Sequence, residues 1–165
     1  TLFAIVLAVR QVRINRKQLH LATITKCIED FRNLGPLNKD IQDFKTIKRY
    51  IDITNEEMFY LQHKYIPTEV GVEWIDGMID LLPLTDAKGE ILNNKYCFQY
   101  LLAIPISIYD DYPRLQHCFT IKGNYNFELV YSFDRSRSKA RSGERNKIVQ
   151  EIISNISKFE SFKYP

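Results

Sequence analysis

Arg13 and His20 are the residues with which a search for chemistry begins. A guanidinium that holds a phosphate and an imidazole that moves a proton can together cleave a phosphodiester, and six residues lie between these two. On a helix they stand two turns apart on one face, and Arg16 stands one turn before His20. A cation and a partly exposed imidazole beside a membrane explain the same residues equally well.

The carboxylates offer less. Asp110-Asp111 and Glu56-Glu57 are adjacent pairs, which on a helix point apart and suit helix starts, where negative charge is favoured. Asp76 and Asp80 stand one turn apart with no His or glycine-rich phosphate loop for company. Trp74 and nearby Tyr residues could stack a base, yet at helical spacing Trp74 reads as core. His117-Cys118 lacks a second pair at zinc spacing. Cys27, Cys97 and Cys118 form no CxxC, which suggests reduced thiols in the cytoplasm. Neither metal nor cofactor is expected, and a non-enzyme is the simpler reading.

Positive charge is local. The formal net charge is +3, but residues 135–147 alone hold six cations and one anion. In an extended conformation Arg135, Arg137, Lys139 and Arg141 share one face, a strip suited to anionic lipid headgroups or, less readily, to nucleic-acid phosphates. A solvated Ser- and Arg-rich loop is the plainer alternative.

These residues need elements to place them. The chain opens TLFAIVLAVRQVRINRK, nine uncharged residues followed by Arg10, Arg13, Arg16 and Lys17. Nine residues of helix cover roughly 14 Å of a hydrocarbon layer about 30 Å thick. With further apolar residues upstream the stretch would span; cations after the apolar run match a membrane helix leaving on the cytoplasmic side, whereas a secretory signal has them before it. The competing reading is a buried amphipathic helix with a greasy first turn. No breaker follows until Gly35-Pro36, so one helix is expected over 2–33, with Leu21, Ile24, Ile28 and Phe31 on its core face beside Cys27.

Further helices are expected through Ile41, Phe44, Ile47, Lys48 and Ile51, from a capping box at Thr54 and Glu57 through Tyr65, and over 68–82, closed by Pro83. The run KYCFQYLLAIPISIYD reads as a buried helix over 95–103 and an extended turn, because Pro105 forbids one uninterrupted helix. Asp111 caps a helix with Pro113 in its first turn. Residues 119–133 read as a small β-hairpin around Lys122-Gly123-Asn124 or as an irregular link. Ile148, Ile152, Ile156 and Phe159 mark a closing helix.

RKQLHLATITKCIEDFRNL, followed by FKTIKRYIDITNEEMFYLQHKYIPTEVGVEWIDGMID, resembles a loose group of small bacterial single-span membrane proteins with a cytoplasmic helical domain and unknown function, some described as candidate phage-abortive-infection proteins. The likeness covers about residues 2–80 and carries no catalytic residue with it. It implies a bacterial inner-membrane protein whose domain faces the cytoplasm.

The expectation is therefore a mainly α chain, a helical bundle built on a long first helix. Residues 1–9 would end a transmembrane segment and 10–165 would form one cytoplasmic domain. Its role would be interaction or sensing through a protein partner or self-association. An anionic membrane surface would touch Arg10, Arg13, Arg16, Lys17, Arg135, Arg137, Lys139 and Arg141. The alternative is a nucleic-acid-acting defence effector, similar to a helical ribonuclease.

Overall fold

No breaker interrupts the first thirty-odd residues, and in the computed structural model they form one helix, α1 (Leu2–Arg32), about 46 Å long. The structure describes residues 2–40, 42–99, 101 and 111–159. Gly35, at φ +75°, turns the chain behind α1 in the left-handed conformation that glycine takes without strain. Asp43 caps α2 (Phe44–Gln62), its carboxylate accepting from the Thr46 amide at 2.8 Å. Ile41 lies outside the described residues.

Helix α2 corrects the expected break at Thr54. Thr54 is buried mid-helix, and its hydroxyl donates to the Tyr50 carbonyl at 2.9 Å. A hydroxyl satisfied one turn back has no cap to make, and residues 44–62 contain neither Gly nor Pro. After Pro67 comes α3 (Thr68–Met78), pressed close to α2: a Cβ on Gly71 would sit 2.0 Å from Leu61 Cδ2. The expected helix to 82 gives way to turns after Met78.

The chain then runs as irregular backbone past Asn93, whose wholly buried side chain accepts from the Leu84 amide at 2.7 Å and donates to the Leu82 carbonyl at 2.9 Å. Residues 94–96 turn rather than coil, so the helix expected from 95 is absent there; helical geometry is seen at Gln99 and Leu101, and 102–110 lie outside the described residues. Helix α4 (Pro113–Phe119) does carry Pro113 at its start, with Tyr112 rather than Asp111 in the cap position.

The hairpin is not formed. Thr85, not a strand across Gly123, pairs with this segment: its amide donates to the Phe119 carbonyl at 3.0 Å, and its carbonyl accepts from Ile121 at 2.9 Å. The Glu151 carboxylate takes the Lys122 and Gly123 amides, and Asn126 caps a one-turn helix, α5 (Phe127–Val130). No named strand occurs among the described residues.

A 3-10 turn (Arg135–Arg137) leads into α6 (Ser138–Lys158), which packs against α2, α3, α4 and α5. Its Ile148, Val149, Ile152 and Ile156 enter one core with Ile47, Ile51, Met58, Ile75, Phe98, Leu115 and Phe119. Arg145 ties α6 to α3, with Nε 2.8 Å from Asp76 and a terminal nitrogen 2.7 Å from Asp80. The architecture is a mainly α helical bundle built on a long first helix.

Candidate functional site: a carboxyl-lined cavity under the long helix

Helix α1 meets the bundle through its last third. Thr23 and Cys27 are buried there, Ile24 is half-buried, and Phe31 sets its ring edge-on to Tyr50 at 6.3 Å between centroids. The expected core face was displaced: Leu21 is 67% exposed, and Ile28 and Phe31 are exposed as well. The helix faces the bundle with Cys27 at the centre of its contact and leaves the larger apolar residues to either side.

That offset opens a cavity of about 440 Å³ between α1, α2 and α3. Cys27, Tyr50, Glu57 and Met78 are buried in its lining; exposed Ile28, Arg32, Glu73 and Gly77 form its rim, and half-buried Trp74 makes one wall. The volume lies in the range of small-molecule pockets, which are mostly apolar with a few polar groups.

Glu57 is the unusual group. It stands seven residues after Tyr50, on the side of α2 that faces α1, and only 7% of its surface is exposed. No described residue hydrogen-bonds its carboxyl, although buried charged groups are almost always paired. Burial pushes that carboxyl up to about 8, and the charges of Glu56 and Asp30 add to the effect. It is therefore held protonated near neutral pH. Glu56 and Asp30 themselves share Lys26, at 2.8 and 3.0 Å, and Tyr60 donates to Glu56. Burial also pushes the Cys27 thiol up to about 12, Cys118 to about 12 and Cys97 to about 11, so none of the three is a reactive thiolate.

The residues singled out by sequence lie elsewhere. Arg10, Arg13, Arg16 and Lys17 are all exposed on the free limb of α1, and His20 is half-buried at its base. At 100° per residue the four cations fall within an arc of about 120°. The extended strip at 135–141 is replaced by helix: Arg135 and Arg137 belong to the 3-10 turn, Lys139 and Arg141 to the first turn of α6. Asp134 starts that turn by accepting the Ser136 amide at 2.9 Å, so the period-two spacing no longer sets four cations side by side. Arg137 lies 3.7 Å from Asp134, and Arg141 donates to the Ser132 carbonyl at 3.0 Å. Arg135 and Lys139 are exposed without an ion pair among the described residues. Asp76 and Asp80 are occupied by Arg145.

Glu57 was missed because the sequence reading ended a helix before it. Continued through Thr54, the stripe Ile47, Tyr50, Ile51, Thr54 and Met58 carries one acid in its midst, and that interruption was the available signal. Among the described residues no group of His, Cys, Asp and Glu is arranged to hold a metal ion. Compared with family models, curated proteins and solved structures, the chain matches none.

Proposed function

We propose that this chain is a membrane-tethered, cytoplasm-facing helical module for interaction or sensing, with the free limb of α1 as its tether. The observation that supports the reading is the state of residues 4–19: every one is exposed, over about 24 Å of helix. Ala4, Ile5, Val6, Leu7, Ala8 and Val9 together point to all sides of the helix, with Val12 at 66% exposure. An apolar surface of that kind marks a site of association, and apolar residues all round a helix suit lipid better than a one-sided protein groove. The cations Arg10, Arg13, Arg16 and Lys17 follow at once. At headgroup level each would contribute roughly 1 kcal/mol toward an anionic surface, and their position after the apolar turns supports a bundle on the cytoplasmic side of a bacterial inner membrane.

No helix among the described residues is long and apolar enough to cross a membrane. The limb enters the bilayer, and α1 continues unbroken past residue 9 into the bundle. The bundle meets its protein partner, or a second copy, beyond the headgroups.

Co-sedimentation with vesicles tests this. The protein is expected to pellet with phosphatidylglycerol-containing vesicles and to remain in the supernatant after Val6→Glu and Leu7→Glu together. Replacing the four α1 cations by Gln is expected to remove the preference for anionic over neutral vesicles. A protein that ignores vesicles altogether contradicts the reading. RNA cleavage by the wild type that His20→Ala abolishes in a folded variant would favour a nucleic-acid-acting effector instead.

A further inference from the structure

The cavity between α1, α2 and α3 combines three things that seldom coincide. Its body is apolar and aromatic, with Phe31, Tyr50, Trp74, Met78 and Leu81. A carboxyl that no described residue hydrogen-bonds, Glu57, lines it. Its surroundings are negative: Asp30, Glu56 and Glu73 carry three charges against two on Lys26 and Arg32, before Glu57 is counted.

We propose that this cavity is a binding site for a small hydrophobic organic cation, an ammonium carrying an apolar body, with its charge set between Glu57 and Glu73 and against the ring of Trp74. Aromatic faces attract ammonium groups, Trp most strongly, and the attraction grows when water is excluded. A carboxylate beside them completes the site, because a buried charge is tolerated when it is paired. An anionic amphiphile would find one cation in the lining, Arg32 at the exposed rim, against the two acidic side chains Glu57 and Glu73.

Binding carries a proton exchange with it. In the empty cavity Glu57 holds its proton. The groups around it are Cys27, Lys26, Asp30 and Arg32 from α1, Tyr50 and Glu56 from α2, and Glu73 from α3. Asp30 and Glu56 disfavour its ionisation, and Lys26 is engaged by those same two acids. An arriving cation reverses the balance: the Glu57 O–H breaks, the proton leaves to solvent, and the carboxylate remains as counter-ion. A ligand with fixed charge thus enters as a cation and releases close to one proton near pH 7.

The site uses only the docked third of α1 and does not depend on the membrane reading. Its test is isothermal titration of the full chain, without vesicles, with benzyltrimethylammonium in two buffers of different ionisation enthalpy at pH 7. Saturable binding with close to one proton released per ligand is expected. Glu57→Gln, which keeps the shape, is expected to weaken binding at least tenfold and to abolish proton release. Trp74→Leu, which keeps an apolar wall, is expected to weaken it several-fold. Neopentylbenzene, the neutral isostere, is expected to bind more weakly than the cation. The proposal is overturned by no binding, by equal binding of the neutral isostere, by tighter binding of octanoate, or by a folded Glu57→Gln protein that binds unchanged. It fails equally if neither folded variant, Glu57→Gln or Trp74→Leu, differs from wild type.

Discussion

Residues 4–19 and 23–32 belong to one uninterrupted helix and live in different surroundings. In the first part Ile5, Val6, Leu7, Val9 and Val12 are exposed, with no cover from the bundle. In the second, Thr23 and Cys27 are buried against α2, and Lys26 reaches Glu56 across the interface. Helical geometry is the same throughout, so hydrogen bonding within the helix does not distinguish the two parts. What differs is which side chains have neighbours. A helix in water draws most of its stability from packing, and here the packed third holds the remainder out from the bundle.

Truncations across the two regions should separate them most clearly. Ile75→Ala, at a wholly buried site facing the core, is expected to cost about 2–5 kcal/mol in denaturant unfolding. Val12→Ala on the limb is expected to change stability by less than about 0.5 kcal/mol. A comparable loss at Val12 would mean that the limb packs on the bundle after all.

Glu57 gives the next largest effect, and it depends on pH. Its carboxyl titrates at about 8 in the fold against 4.5 as an ordinary side chain, so between those values the folded state holds more of the proton. Stability contributed here is complete below pH 4.5 and lost as pH rises toward 8, up to a few kcal/mol. The carboxyls held low, Asp43 by the Thr46 amide and Glu144 by Lys147, act in the acid range below that window. Glu57→Gln is expected to flatten the decline, followed by urea unfolding at pH 5, 6, 7 and 8.

Arg145 joins α3 to α6 and is itself well covered, while Asp76 and Asp80 remain about half exposed. Arg145→Met is expected to cost about 1–2 kcal/mol, since the released carboxylates rehydrate. Lys26→Ala removes an exposed link between α1 and α2, for which at most about 1 kcal/mol is expected. Hydrogen exchange in 23–32 would report its loosening, with 4–19 unchanged.

What the sequence allowed follows the same division. Long uninterrupted segments were readable: α1 ends within a residue of the expected 33, before Gly35, and α6 was marked by Ile148, Ile152 and Ile156. Punctuation that depends on distant partners was not. Thr54 and Glu57 have the spacing of a capping box, but the Thr54 hydroxyl turns back to the Tyr50 carbonyl and the helix runs through both. Residues 119–133 carry the spacing of a hairpin, but Thr85 and Glu151, more than twenty residues away in sequence, take their backbone groups. The strip at 135–141 depended on an extended backbone that Asp134 converts to a turn. The cavity was invisible for a related reason. It exists because α1 docks through Cys27 rather than through Leu21, and no local pattern fixes that rotation.

The three native thiols are buried and poorly ionised, so a single cysteine introduced on the limb can be labelled in the folded protein. Val6→Cys and Leu21→Cys, each carrying an environment-sensitive nitrobenzoxadiazole, place a probe near the tip and at the base of the free limb. On adding phosphatidylglycerol-containing vesicles, the fluorescence at position 6 is expected to shift to the blue and gain intensity while position 21 stays close to its value in water. Two probes that both remain hydrated, or a blue shift at position 6 that grows with protein concentration and ignores vesicles, would contradict the tether.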